Sequence, residues 1–293
     1  MRIAHLIMAH KGPEQLARLV KALAHEGFDF YIHLDAKADR REFAFLEELP
    51  GVRLTTTRLY VRWASYRFTK AIVECTREIL ATGIEYDFIN LMSAQDYPIK
   101  PAETIYDFLA RNRGRSFLSF ESSEENSEWW AHAITRVEKY HSTYFHFKGQ
   151  YFLQATINWL LPKRTFPLPY TLYGGKDGSW WTISRPCAQY LVDFLDNNPG
   201  LRRFTMFTWG SDEFLISTIL MNSPYRPTIV NNNYRYIDWS QGGANPKVLT
   251  ALDFEALRAS PQLFARKFDP AVDATVLDLV DDLLLAAPLH PVS

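Results

Sequence analysis

Cysteine is scarce in this 293-residue chain, with Cys75 and Cys187 the only two. So sparse a pair excludes a disulfide framework and offers no zinc-ligand spacing, so both read as buried thiols in a reducing compartment. No apolar run approaches the ~20 residues that span a bilayer. The opening Met1-Arg-Ile-Ala-His-Leu-Ile-Met-Ala-His10 is too short and too His-interrupted for the apolar centre of a signal sequence, and reads as a first strand. Charge of neither sign is in excess. The formal net charge is −1, which excludes a global pull towards nucleic acid and makes any positive site a local one. There is no internal repeat and no low-complexity tract. These absences predict a cytoplasmic protein, with peripheral docking at the inner face of a membrane left open.

What the chain does have is apolar and aromatic substance. Apolar residues make up 47% and charged residues 22%, the balance of a folded domain. Aromatics reach 15%, with eight Trp, fifteen Tyr and twenty Phe. Such a content fits a generously packed core. It fits equally a saccharide site, where ring faces stack on the apolar C–H face of a sugar.

The first half alternates strand and helix patterns. Strands are predicted at 3–9, 28–34, 52–56 and 86–92, and helices at 13–25, 66–80 and 101–111. Further on, helices are predicted at 129–139 and 186–197, the latter with Pro186 at an early position, after a strand at 180–184. Residues 140–173, aromatic and punctuated by Pro, read as a flexible segment. An amphipathic helix at 273–287 forms the core of a C-terminal element, about 271–293, packed on a single domain spanning 1–293. Strands separated by helices imply βαβ crossovers, hence an α/β fold with a mainly parallel central sheet. Ligands of such sheets sit beyond the carboxyl ends of the strands. His10, Asp35 and the pair Gln95-Asp96 all fall there.

The segment Thr205-Met-Phe-Thr-Trp-Gly-Ser-Asp-Glu-Phe-Leu-Ile-Ser-Thr-Ile-Leu220 sets Asp212 and Glu213 between a small-residue turn and an apolar run of helical spacing. A carboxylate there projects from the end of a rigid element and can act on a substrate. It can also serve as an ordinary helix cap.

Six segments, in order, resemble one family. They are Ile32-His-Leu-Asp-Ala-Lys-Ala-Asp39; Val61-Arg-Trp-Ala-Ser-Tyr66; Phe88-Ile-Asn-Leu-Met-Ser-Ala-Gln-Asp-Tyr-Pro-Ile99; Gly178-Ser-Trp-Trp-Thr-Ile-Ser-Arg185; Ser211-Asp-Glu213; and Phe264-Ala-Arg-Lys-Phe-Asp269. Together they resemble the core 2/I-branching β-1,6-N-acetylglucosaminyltransferases and the related peptide O-xylosyltransferases, glycosyltransferase family 14. The resemblance covers about residues 3 to 270. It implies a GT-A-like, Rossmann-type fold and inverting transfer from a UDP-sugar without a divalent metal. No Asp-x-Asp follows a strand in the first half, and Asp35 and Asp39 are too far apart to replace one.

By that resemblance Glu213 is the base that takes the acceptor hydroxyl's proton, and Asp212 a cap or a hydrogen-bond partner behind it. Arg266 and Lys267 neutralise the diphosphate, with Lys247 a third cation; surface ion pairing is the plain alternative for each. Asp35 and His10 are expected near uridine, and Asp96 near the donor sugar or holding the turn before Pro98. Ser179, Trp180 and Trp181 are candidates for the sugar site, with the core as the alternative for the two tryptophans. Arg136, Lys139, Tyr236 and Trp239 are candidates for the acceptor. The xylosyltransferase branch carries an Asp where this chain has Trp180, which favours N-acetylglucosamine as donor sugar, whereas the Arg-Lys pair looks like the xylosyltransferase version. The expected acceptor is a surface polysaccharide or lipid-linked saccharide. A non-catalytic carbohydrate- or nucleotide-binding protein is the main alternative. A hydrolase would need paired carboxylates, and Asp212 and Glu213, as sequence neighbours, would usually point apart.

Overall fold

Apolar residues at consecutive positions form the strands at the centre of the molecule. Isoleucine, leucine and phenylalanine in β1 (Ile3–Ala9) and β2 (Phe28–Leu34) leave no position exposed in either strand. Strands covered on both faces are the mark of a parallel sheet flanked by helices. The computed structural model describes residues 1–144 and 147–286. In it β3 (Val52–Leu54), β4 (Phe88–Ser93), β5 (Asp96–Pro98), β6 (Ser116–Leu118), β7 (Glu121–Ser122), β8 (Tyr173–Gly174), β9 (Thr182–Ser184), β10 (Ile229–Asn231), β11 (Arg235–Ile237) and β12 (Phe264–Arg266) follow along the chain.

Seven strands form the main sheet in the order β10-β6-β9-β4-β1-β2-β3. Every pairing is parallel except those of β9, which runs against both β4 and β6. The expected α/β, Rossmann-type, mainly parallel sheet is thus present. Beside it lies a small sheet, β11-β12-β5, in which Arg266 of β12 stands opposite Asp96 of β5.

Alternation along β1 feeds two cores. Ile3 and Ile7 join Leu16, Leu19 and Val20 of the helix Pro13–Ala22 on one face. Ala4, Leu6 and Met8 join Ala71, Ile72, Cys75 and Ile79 of the helix Tyr66–Ala81 on the other, together with Cys187 and Leu191 of the helix Arg185–Asn197. Both cysteines are free and buried in that second core. The C-terminal helix, Thr275–Ala286, packs on the first core through Val276, Leu277 and Val280; the expected continuation over 287–293 lies outside the described residues. No helix among the described residues is long and apolar enough to cross a membrane.

Two sequence expectations are corrected. The segment 140–173, expected to be irregular, contains a helix, Gln150–Leu160. Its apolar residues face outward, so core-seeking periodicity did not reveal it. Trp181, one of the sugar-site candidates, is completely buried in the second core. Trp180, just before it, is only partly buried and reaches the rim, where its ring lies against the Arg266 guanidinium.

This packing makes a direct prediction. Trp181→Ala should lower unfolding free energy by about 3–5 kcal/mol, as for large core truncations. Trp159→Ala, at a position 83% exposed, should stay within about 0.5 kcal/mol of the parent in the same urea titration.

Candidate active site

The chain runs outward from β1 through β2 to β3, then crosses back to β4 on the other side of β1. That reversal opens a crevice at the carboxyl ends of β1, β2 and β4. A cavity of about 350 Å³ lies there, lined at the sheet rim by His10, His33, Asp35, Ser93 and Gln95. Asp35 is nearly buried, and its carboxylate accepts from the backbone N–H of Lys37 at 2.9 Å and of Val61 at 3.3 Å. His33 Nε2 accepts from the Leu59 N–H at 3.3 Å. Burial lowers the pKa of His33 to about 4, so the neutral ring that can accept is the form present at neutral pH.

The small sheet supplies the positive wall. The guanidinium of Arg266 is nearly buried, 3.4 Å from Asp96 Oδ1 and 4.1 Å from the centre of the Trp180 ring. Its Nε and Nη1 have no hydrogen-bond acceptor, and Asp96 Oδ1 has no donor. Burial pulls the Arg266 pKa down against the opposing pull of Asp96 and Asp177. Lys267 lines the same cavity, and burial first, then Arg266 and Lys11, lower its pKa as well. A buried cation with open donor positions calls for an anion.

Opposite stands the acid. Ser211–Glu213 forms a single 3-10 turn ahead of the helix Leu215–Met221, and neither carboxylate caps that helix. The plain capping alternative therefore fails for both. Asp212 instead accepts from Ser179 Oγ at 2.6 Å, while Glu213 Oε2 meets Arg136 Nη1 at 2.5 Å. The two carboxylates diverge, as sequence neighbours should. Burial, reinforced by Asp212, pushes the Glu213 pKa up to about 7 despite the Arg136 guanidinium beside it. Arg136 is itself held between the rings of Trp209 and Trp129, 4.2 and 4.9 Å from their centres.

Glycines allow this approach. A Cβ on Gly178 would sit 2.3 Å from the Glu213 carbonyl oxygen, and the Gly175 N–H donates to that same oxygen at 3.1 Å. Gly210 has φ 61°, and a Cβ there would lie 2.8 Å from Arg136 Nη1.

Of the residues singled out from sequence, His10, Asp35, Ser179, Trp180, Glu213, Trp239, Arg266 and Lys267 line this one cavity. Arg136 touches it through Glu213, and Asp96 lies beneath Arg266, fully buried. Four others are placed elsewhere. Besides Trp181, Tyr236 points away because β11 alternation gives the lining position to Ile237. Lys247 is tied to Asp253 at 2.5 Å, leaving Asn245 and Pro246 at the cavity wall. Lys139 is exposed at the C-terminal end of the helix Glu128–Glu138. The sequence reading gave no role to Arg62, Trp63 or Lys176, which also line it. The available signal is the segment 61–66, which carries the first two and resembles the family's. Among the described residues no three His, Cys, Asp or Glu side chains gather as a metal site would need.

The crevice at the switch point of this α/β sheet thus sets a buried guanidinium on one wall against a largely buried acid on another. A family model for the Core-2/I-Branching enzyme matches residues 3–260, and the chain belongs to that family. Xylosyltransferase 2 of Homo sapiens is 29% identical over 304 residues, covering 96% of this chain and 33% of that protein. Xylosyltransferase 1 of Rattus norvegicus is 27% identical over 307 residues, 97% of this chain and 35% of the relative. The chain thus spans about a third of the length of the curated relatives it matches. Among solved structures, the galactosyltransferase LgtC with donor and acceptor sugar analogs overlaps 98% of this chain and 97% of its own, at 11% identity and TM-score 0.42.

The Glu213 proton can be tested without any substrate. Between pH 4.5 and 7 the folded chain should keep a proton on Glu213 that the unfolded chain has lost. Stability from this residue therefore declines as pH rises through that window. The difference in urea stability between the parent and Glu213→Gln should change across it; parallel curves would contradict the raised pKa.

Proposed function

We propose that the chain is a glycosyltransferase that moves a sugar from a UDP-sugar to a hydroxyl of a glycan or lipid-linked saccharide in the cytoplasm, with inversion and without a divalent metal. The observation that carries this reading is a single cavity with Glu213 at one wall and the open donors of Arg266, beside Lys267, at another.

The acceptor hydroxyl attacks the anomeric carbon from the face opposite UDP. Its oxygen forms the new glycosidic bond, its proton passes to Glu213, and the bond from the anomeric carbon to the phosphate oxygen breaks. With Arg136 on Oε2, Oε1 is the oxygen left to take the proton. A base with a pKa near 7 is matched to this task at neutral pH. The negative charge that grows on the departing diphosphate meets Arg266 and Lys267, fixed in advance, so little reorganisation accompanies bond breaking. Asp96, the acid placed where a metal ligand would be expected, is engaged by Arg266 instead. His10 and Asp35 at the strand ends suit uridine, and Trp180 and Trp239 offer ring faces to sugars. Trp239 is fixed by its Nε1 donating to Asp177 at 2.7 Å.

N-acetylglucosamine is the donor sugar favoured by Trp180 at the position where the xylosyltransferase branch has a carboxylate. The names of the relatives support a second reading, transfer of xylose, with the same base and cations. A screen of UDP release from several UDP-sugars separates them.

Glu213→Gln should cut kcat by about 10²–10⁴ and leave UDP binding by calorimetry nearly unchanged. Arg266→Ala should weaken UDP binding more than about tenfold. Binding of UDP to the parent should persist in EDTA. Unchanged turnover in Glu213→Gln, or UDP binding only with Mn²⁺ or Mg²⁺, would refute the mechanism. The activity of the parent should rise with pH through about 7, as the carboxylate form of Glu213 fills.

A further inference from the structure

The helix Gln150–Leu160 is built inside out. Its polar side chains Gln150, Gln154 and Asn158 recur every four residues and face the protein. Asn158 Oδ1 accepts from the Tyr140 N–H and its Nδ2 donates to the Tyr140 carbonyl, both at 2.8 Å. Gln154 Oε1 accepts from the Ser142 N–H at 2.8 Å. The apolar residues point the other way: Tyr151 is 73%, Phe152 79% and Trp159 83% exposed, and Leu160 and Leu161 continue the patch. A contiguous apolar face of this kind on a soluble domain marks an interaction surface.

Charge narrows the partner. The helix has no charged residue, exposed Lys148 and Lys163 stand beyond its two ends, Lys163 paired with Glu138 at 2.7 Å, and the chain carries no Asp or Glu from Lys139 to Lys176. Tryptophan and tyrosine in an uncharged helix, with lysines at its flanks, match the boundary between lipid headgroups and acyl chains. A second copy meeting the same face would bring no carboxylate of this segment to meet Lys148. Eleven residues give a helix about 16 Å long, too short to cross the bilayer and suited to lying in its plane.

We infer that Gln150–Leu160 is a docking element for an anionic lipid surface, inserting Tyr151, Phe152, Trp159 and Leu160 among the headgroups while Lys148 meets their phosphates. The element is coupled to the acid side of the cavity. Arg164, just beyond it, donates to the carbonyls of Lys139 and Phe207 at 2.9 and 2.6 Å and to Thr208 Oγ1 at 3.2 Å. Thr208 leads directly into Trp209, Gly210 and the turn that carries Glu213. A docked helix would therefore hold this side of the cavity towards the membrane surface. This inference goes beyond the proposed transfer, and vesicle binding tests it whether or not the transfer reading stands.

The experiment is flotation of the purified chain with phosphatidylcholine vesicles, with and without phosphatidylglycerol. The parent should float with the anionic vesicles and less so as salt rises. Phe152→Ser/Trp159→Ser should reduce partitioning at least about tenfold with Tm unchanged, since neither side chain is buried. Lys148→Ala should weaken binding to the anionic vesicles alone, by about fivefold. Absence of flotation at low salt, or equal flotation of the double variant, would overturn the inference. So would a concentration-dependent dimer that ignores vesicles and is abolished by the same double variant.

Discussion

One buried carboxylate set against two buried guanidiniums governs this structure. Asp96 is fully buried between Arg266 and Arg235. Arg235 has partners for both terminal nitrogens, donating to Asn90 Oδ1, the Leu91 carbonyl and the Asn233 carbonyl, and only its Nε is without one. Arg266 lacks a partner at both Nε and Nη1, and Asp96, Arg235 and Arg266 together hold one positive charge in excess. Removing charges from water costs more than a single pair returns unless the remaining donors find partners. The small sheet sustains this cost because β12 registers Arg266 directly opposite Asp96 and Trp180 covers the guanidinium face. The outcome is a site with an unmet demand for an anion, held by tertiary packing rather than by the anion itself.

The acid across the cavity is shaped by the opposite imbalance. Glu213 has a cation within hydrogen-bond distance and still holds its proton up to about pH 7, because burial and Asp212 outweigh Arg136. Arg136 is in turn confined by two indoles, so it orients one carboxylate oxygen and leaves the other open. The backbone of Glu213 is gripped by a glycine loop that no larger residue could replace without displacing its carbonyl. Cation demand and proton affinity therefore come from separate elements, which lets each be tuned without the other.

The inside-out helix belongs to the same arrangement. It packs through polar side chains that bracket Tyr140 and Ser142, and through Arg164 its surroundings connect to the segment preceding Glu213. The rim formed by β1, β2 and β4 lies on the other flank of the cavity. The molecule thus separates a wall built from strand ends from a helical and aromatic wall that leads through Arg164 to an apolar outer surface.

Sequence alone determined the strands that feed both cores, since β1 and β2 were legible to the residue as mainly apolar segments, interrupted only by His5, Asp29 and His33. It also pointed to Asp35, Glu213, Arg266 and Lys267, because motif order survives where surrounding identity is low. It could not distinguish Trp180 from Trp181, or Ile237 from Tyr236, because strand register relative to the cavity is set by pairing with other strands. It missed the helix Gln150–Leu160, whose apolar face seeks no core, and the ties that draw Lys247 to Asp253. Only the tertiary structure decided that Asp212 and Glu213 face different partners, and that Arg266 is left with open donors. Local patterns record which residues prefer to be buried; which charges meet inside is fixed by contacts between segments far apart in the chain.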